Sequence, residues 1–159
     1  KILKILNDYC LKNQNYKILY KEHPSQFLSK RFGFMEKNSK YYKEIFNLKK
    51  IIILNLDTSV YEAINKSEEV ATATSETALQ SVLLNKPSII FGNVWFAKCR
   101  GVFKYKKNLK KIINIAKKQK FNRDDVKKFL NNLDNKQNLN LNINKKSSDI
   151  IKFIKKNIF

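Results

Sequence analysis

The sequence predicts an α/β fold, a Rossmann-like parallel sheet with helices on both faces, and three observations carry that prediction. Between Lys17 and Gly92, short runs of β-forming residues alternate with amphipathic helical runs in the order β, α, β, α, β, α, β. The connections between them are short, as expected of strands and helices layered on one another. The 159 residues, 43% of them hydrophobic, suffice for one ordinary domain and not for two full-sized ones.

Lys1–Gln14 sets Ile2, Leu3, Ile5, Leu6, Tyr9 and Cys10 at helical spacing among Lys and Asn, the pattern of an amphipathic helix. Lys17–Glu22 (KILYKE) is a strand closed by His23-Pro24, because proline disfavours helix at the residue before it. One or two helical turns are expected over Ser25–Phe32, then a short helix over Lys40–Leu48 and a second strand over Lys50–Leu56. Asp57-Thr58-Ser59 offers N-caps for a helix over Val60–Lys66, and Glu62 stands three residues after Ser59 in the capping-box spacing. Val70–Thr74 is a third strand. Ser75 then caps a helix over Glu76–Leu84, where Glu76 complements the positive end of the helix dipole. Asn85-Lys86-Pro87 ends that helix, and Ser88–Phe91 forms a fourth strand stopped by Gly92. Lys106–Lys118 and Arg123–Leu133 carry apolar residues at helical spacing and read as peripheral helices. The domain organisation is therefore a Rossmann-like domain over 1–133, an Asn/Lys-rich linker over 134–146 and a C-terminal helix over 147–159.

Thirty-three Lys and Arg against thirteen Asp and Glu give a formal net charge of +20, which suits an anionic ligand or surface. Lys, Asn and Ile make up 68 of the residues, a bias expected from an A/T-rich genome, so the charge is discounted as a functional signal. Arg, the better bidentate reader of phosphate and base edges, occurs only at positions 31, 100 and 123. No apolar run reaches the roughly 18 to 20 residues of a membrane span. Cys10 and Cys99 are too few and too far apart for a zinc site and are expected as free, buried thiols; one histidine leaves little metal chemistry, so no metal and no cofactor is expected.

In an open parallel sheet, ligands bind outside the carboxyl ends of the strands. Two segments take that position: Lys21-Glu22-His23-Pro24 after the first strand, and Thr74-Ser75-Glu76-Thr77 after the third. Imidazole and ammonium groups on one, with hydroxyls and amide N–H groups on the other, make a phosphate clamp. The run EHP, followed about fifty residues later by VATATSETALQSVLLNKPSIIFGNVWF, resembles the capsule polysaccharide biosynthesis glycosyltransferases. That group includes Kdo transferases of the B-type glycosyltransferase fold, and bacterial sialyltransferases of the same architecture are more loosely similar. The matching residues, in order, are His23-Pro24, Thr74-Ser75, Thr77, Lys86-Pro87 and Phe91-Gly92. They span about half the chain.

The resemblance implies that His23 is the catalytic residue, binding the phosphate of a CMP-sugar donor and stabilising the leaving nucleotide. Thr74, Ser75 and Thr77 would share that task, with Lys21 as a supporting charge and Pro24 beside His23 among the donor-binding residues. Departure of a sugar from CMP builds negative charge on phosphate, so hydrogen-bond donors aimed there favour the transition state. Where the family places a helix Glu, this chain has Gln80, which accepts a hydrogen bond without charge, and Glu76 lies one turn earlier. Ser75 is a helix cap, a ligand or both. Trp95 and Phe96 either line the pocket or belong to the core.

The matching motifs belong to the second half of a B-type enzyme, so the chain is expected to be the donor-binding half of a larger, cytoplasmic glycosyltransferase. Its partners would be a nucleotide-sugar donor, a glycan or glycolipid acceptor, and an N-terminal half-domain or a second copy. Alone, it would bind donor without efficient transfer. Alternatives are a glycerophosphotransferase or epimerase-type nucleotide-sugar domain, and, from another class, a basic nucleic-acid-binding module, against which stands the lack of any helix-turn-helix, ribonucleoprotein or zinc signature. Lys104–Lys120 reads as a solvated helix face, with peripheral contact to anionic lipid as the alternative.

Overall fold

The computed structural model describes residues 1–23, 26 and 37–139. Its elements follow as α1 (Ile2–Lys12), β1 (Ile18–Tyr20), α2 (Ser39–Phe46), β2 (Ile51–Ile53), α3 (Val60–Asn65), β3 (Val70–Thr72), α4 (Thr77–Leu83), β4 (Ser88–Ile90), β5 (Val102–Lys104), α5 (Leu109–Lys118) and α6 (Arg123–Leu139). Every strand pair is parallel. β1 pairs with β2, Ile18 opposite Ile51, while β3, β4 and β5 lie in that order with Ser88 opposite both Val70 and Val102. Among the described residues the strands thus form two ladders where one continuous sheet was expected. Each strand is three residues long, which limits how far a ladder can extend.

The middle strand β4 shows how the layers form. Its residues Ser88, Ile89 and Ile90 are all buried, and side chains alternate across the sheet. Ile90 joins Ala78, Leu79 and Val82 of α4, Val102 of β5, and Val126 and Leu130 of α6 on one face. Ile89 and Phe91 join Leu109, Ile112 and Ile113 of α5, with Ile5, Leu6 and Tyr9 of α1, on the other. Helices therefore cover both faces, and complete burial of a side chain such as Leu130 contributes about 1.5–3 kcal/mol. Helix α1 also touches β1, and the buried Asn7 Oδ1 accepts the Lys50 N–H at 3.1 Å, so α1 ties the two ladders together.

Local signals act much as their chemistry requires. Ser59 Oγ accepts the Glu62 N–H at 3.0 Å, while the Glu62 carboxylate reaches forward to Lys66 at 2.6 Å. Asn85 takes φ 57°, with its N–H on the Val82 carbonyl and the Lys86 N–H on Ser81, a Schellman closure that ends α4. Strand β5 was not foreseen. It forms because β4 offers a free edge: the Ser88 N–H bonds the Gly101 carbonyl at 2.9 Å and the Tyr105 N–H bonds Ile90 at 2.8 Å. Helix α5 begins at Leu109, not Lys106, because Lys107 adopts φ 65° and Asn108 caps the helix through the Lys111 N–H. Helix α6 continues to Leu139, six residues past its expected end, into the segment read as linker. The short helix over 25–32, the remainder of the linker and the helix over 147–159 lie outside the described residues, apart from Gln26. Cys10 and Cys99 are buried free thiols as expected.

Candidate functional site

The carboxyl edge of β3, β4 and β5 is knitted closely. The Phe91 N–H donates to the Thr72 carbonyl at 3.0 Å and the Gly92 N–H to Ala73 at 2.8 Å, carrying the ladder past the strands. A Cβ on Gly92 would lie 2.5 Å from Thr74 Cγ2, so only glycine lets the two chain ends meet this closely. Thr74 and Ser75 are exposed above this junction, and Glu76 and Thr77 are half-buried. Ser75 Oγ accepts the Thr77 N–H at 3.2 Å and shares a hydrogen bond with Thr77 Oγ1 at 2.9 Å, while the Ser75 N–H donates to Thr72 Oγ1 at 3.3 Å. Ser75 thus serves as the cap expected of it, although Glu76 occupies the residue before the first helical position and caps nothing with its side chain. Gln80 is exposed one turn further on, its N–H bonded to the Glu76 carbonyl. Beyond β4, Asn93 Oδ1 accepts from Lys104 Nζ of β5, so a cation stands on the same edge.

The second segment follows β1. Lys21 donates to the Leu56 carbonyl at 3.3 Å, a bond that holds the ends of the β1–β2 ladder together. His23 is exposed; its main-chain N–H donates to Glu22 Oε1 at 2.9 Å and its carbonyl accepts from the Gln26 N–H at 2.9 Å. The residue that organises this turn is Glu22, which sequence reasoning did not single out. Only 5% exposed, it takes Lys37 Nζ (2.6 Å) and the His23 N–H on Oε1, and the hydroxyls of Tyr20 (2.6 Å) and Tyr42 (3.0 Å) on Oε2. Burial pushes the carboxyl up, but the bonds from Lys37, Tyr20 and the His23 N–H outweigh it and hold Glu22 below the ordinary carboxylate range. Burial and the Glu22 bond push the Tyr20 phenol well above its ordinary value and Tyr42 to about 12.

The structure therefore brings Ser75 and Thr77 into direct contact, sets Thr74, Gly92, Asn93 and Lys104 along the same edge, and locks the His23 turn on the neighbouring ladder. Pro24 lies outside the described residues. Trp95 and Phe96 take the core alternative: Phe96 is 1% exposed, and Trp95 meets it edge-on at 5.3 Å while stacking on Phe129 at 6.2 Å. Among the described residues no His, Cys, Asp and Glu side chains cluster as metal ligands, and no helix is long and apolar enough to cross a membrane. Chemically, the exposed turn after β3 offers hydroxyls and the turn after β1 an imidazole, each at the carboxyl end of a parallel strand and each a group able to meet a phosphate oxygen.

Fold and edge together define a Rossmann-like α/β protein with polar turns at the carboxyl ends of its strands. The chain belongs to the capsule polysaccharide biosynthesis protein family, whose model matches residues 1–137, and this gives it a role in surface polysaccharide synthesis. No curated protein and no solved structure matches it.

Proposed function

We propose that the chain is the donor-binding half of a B-type glycosyltransferase that takes a CMP-linked, Kdo-like sugar. The observation that carries this is the Ser75–Thr77 hydroxyl pair, at 2.9 Å, on the carboxyl edge of a chain whose family builds surface polysaccharide. In this reading the two hydroxyls and the His23 imidazole meet the donor phosphate and stabilise the charge that develops as the sugar leaves. Glu76, just before α4, and Gln80, one turn into it, face the ribose. Catalysis then needs an acceptor-binding half, and the acceptor is a glycan or glycolipid.

Calorimetric titration with CMP, CDP and UDP, at moderate and at high salt, tests this. Salt-resistant binding that favours CMP, weakened roughly tenfold by Ser75→Ala with Thr77→Val and by His23→Ala, is the expected result. Equal, salt-sensitive binding of all three nucleotides, indifferent to those substitutions, would mean that the net charge alone attracts them.

A further inference from the structure

Between Glu76 and Asp124 the chain carries twelve Lys and Arg and no Asp or Glu. A lysine-rich composition explains many cations, but not the clearance of every acid from so long a segment. Three of the lysines, Lys110, Lys111 and Lys118, line one open concavity of about 320 Å³ on α5 with Asn108, Asn114 and Ile115. Lys117, on the same helix, is drawn to Glu68 at 4.0 Å and lies over the Tyr16 ring, whereas those three lysines have no acidic partner among the described residues.

This face is arranged against local stability. Lys110 and Lys111 occupy the first turn of α5, where the helix dipole is already positive and no acidic side chain offsets them. Lys107, two residues before the helix, holds φ 65° without being glycine. Ile115 is 46% exposed amid lysines, although Ile112, Ile113 and Ala116 of the same helix are buried. Departures of this kind concentrate where a surface serves binding.

We propose that this face of α5 docks on an anionic membrane surface, its lysines meeting lipid headgroups and Ile115 entering the interface. A bilayer fits better than a nucleic acid because Ile115, exposed in the midst of these lysines, gains by leaving water for lipid and gains nothing from a phosphate backbone. Contact is peripheral, since no described helix can span a bilayer. Neither His23 nor the hydroxyl turn takes part, so docking stands independently of donor binding.

The test is co-sedimentation of the full chain with phosphatidylcholine vesicles, with and without about one third phosphatidylglycerol, beside a filter assay on poly-uridine RNA. The chain is expected to bind only the anionic vesicles. Lys110→Glu/Lys111→Glu/Lys118→Glu should weaken binding on the order of 100-fold. A control with equal charge change elsewhere, Lys4→Glu/Lys43→Glu/Lys49→Glu, should weaken it far less. Ile115→Ser should cost roughly tenfold on vesicles and nothing on RNA. Equal losses in the two triple variants would overturn the proposal in favour of net charge alone. Tighter binding to RNA than to vesicles, unaffected by Ile115→Ser, would overturn it in favour of a nucleic-acid surface.

Discussion

Four donors converge on Glu22, and they arrive from different parts of the chain: Tyr20 and the His23 N–H from beside it, Lys37 and Tyr42 from across the fold. An ionised carboxylate this deeply buried is tolerable only because its oxygens are satisfied. Glu22→Gln should therefore lower stability by about 2 kcal/mol near neutral pH, leaving Lys37 without its counter-charge. The pH dependence follows from the direction of the shift. Glu22 is held below its ordinary 4.5, so its contribution is complete above that value and is lost as pH falls through the lower folded-state value. Urea unfolding from neutral to acid pH should show the two proteins converging in that window; a constant gap would refute this. At the alkaline end, Tyr42, raised from 10.0 to about 12, contributes fully below 10.0 and loses its contribution as pH rises through about 12. Little of this was legible in the sequence. Tyr20 and Glu22 are two apart in the Lys17–Glu22 run expected as a strand, which would put them on one face, but nothing local links Glu22 to Lys37 or Tyr42.

Where β3 and β4 end, two elements approach closely enough to make a single residue's size decisive. Gly92→Ala would drive a methyl group against Thr74 Cγ2 and the Ala73 carbonyl, at 2.5 and 3.0 Å. It should cost about 1–3 kcal/mol. Thr74→Ser removes the clashing Cγ2 and should recover part of that loss in the double variant, read by thermal melts. No recovery would place the strain on the carbonyl instead. Element by element, the helices were the most legible. Their signals are local: the apolar spacing of α1, the Ser59 cap, the Ser75 hydroxyl, and Asn85 before Lys86-Pro87. The strands were found but drawn too long, because β-forming residues mark a tendency and the ladder is set by a partner. β5 escaped notice for the same reason. Gly101 turns the chain at φ 89°, with Phe121 and Val82 side chains where a Cβ would stand, and only then does Val102–Lys104 reach the edge of β4.

Across the whole molecule, a formal charge of +20 sets lysines against one another, with four ion pairs among the described residues to offset them. Self-repulsion of this kind destabilises the compact state and is screened by salt, since the Debye length falls from roughly 14 Å at 0.05 M to about 4 Å at 0.5 M. The melting temperature should thus rise by several degrees over that range of sodium chloride. A flat or falling profile would show that the pairs present, such as Lys37–Glu22 at 2.6 Å, outweigh the repulsion.

By itself the sequence determined the class of the chain: alternating β and α segments, a core of apolar side chains, caps and turns in the right order, and a resemblance to the polysaccharide-building family whose model matches it. These features are written in residues near one another, where periodicity and turn chemistry act. Only the tertiary structure decided which strands pair, that α1 lies across both ladders, that Trp95 and Phe96 belong to the core, and that Glu22 governs the His23 turn. Those outcomes depend on contacts between residues distant in the chain, and burial, which sets their strength, exists only once the chain has folded.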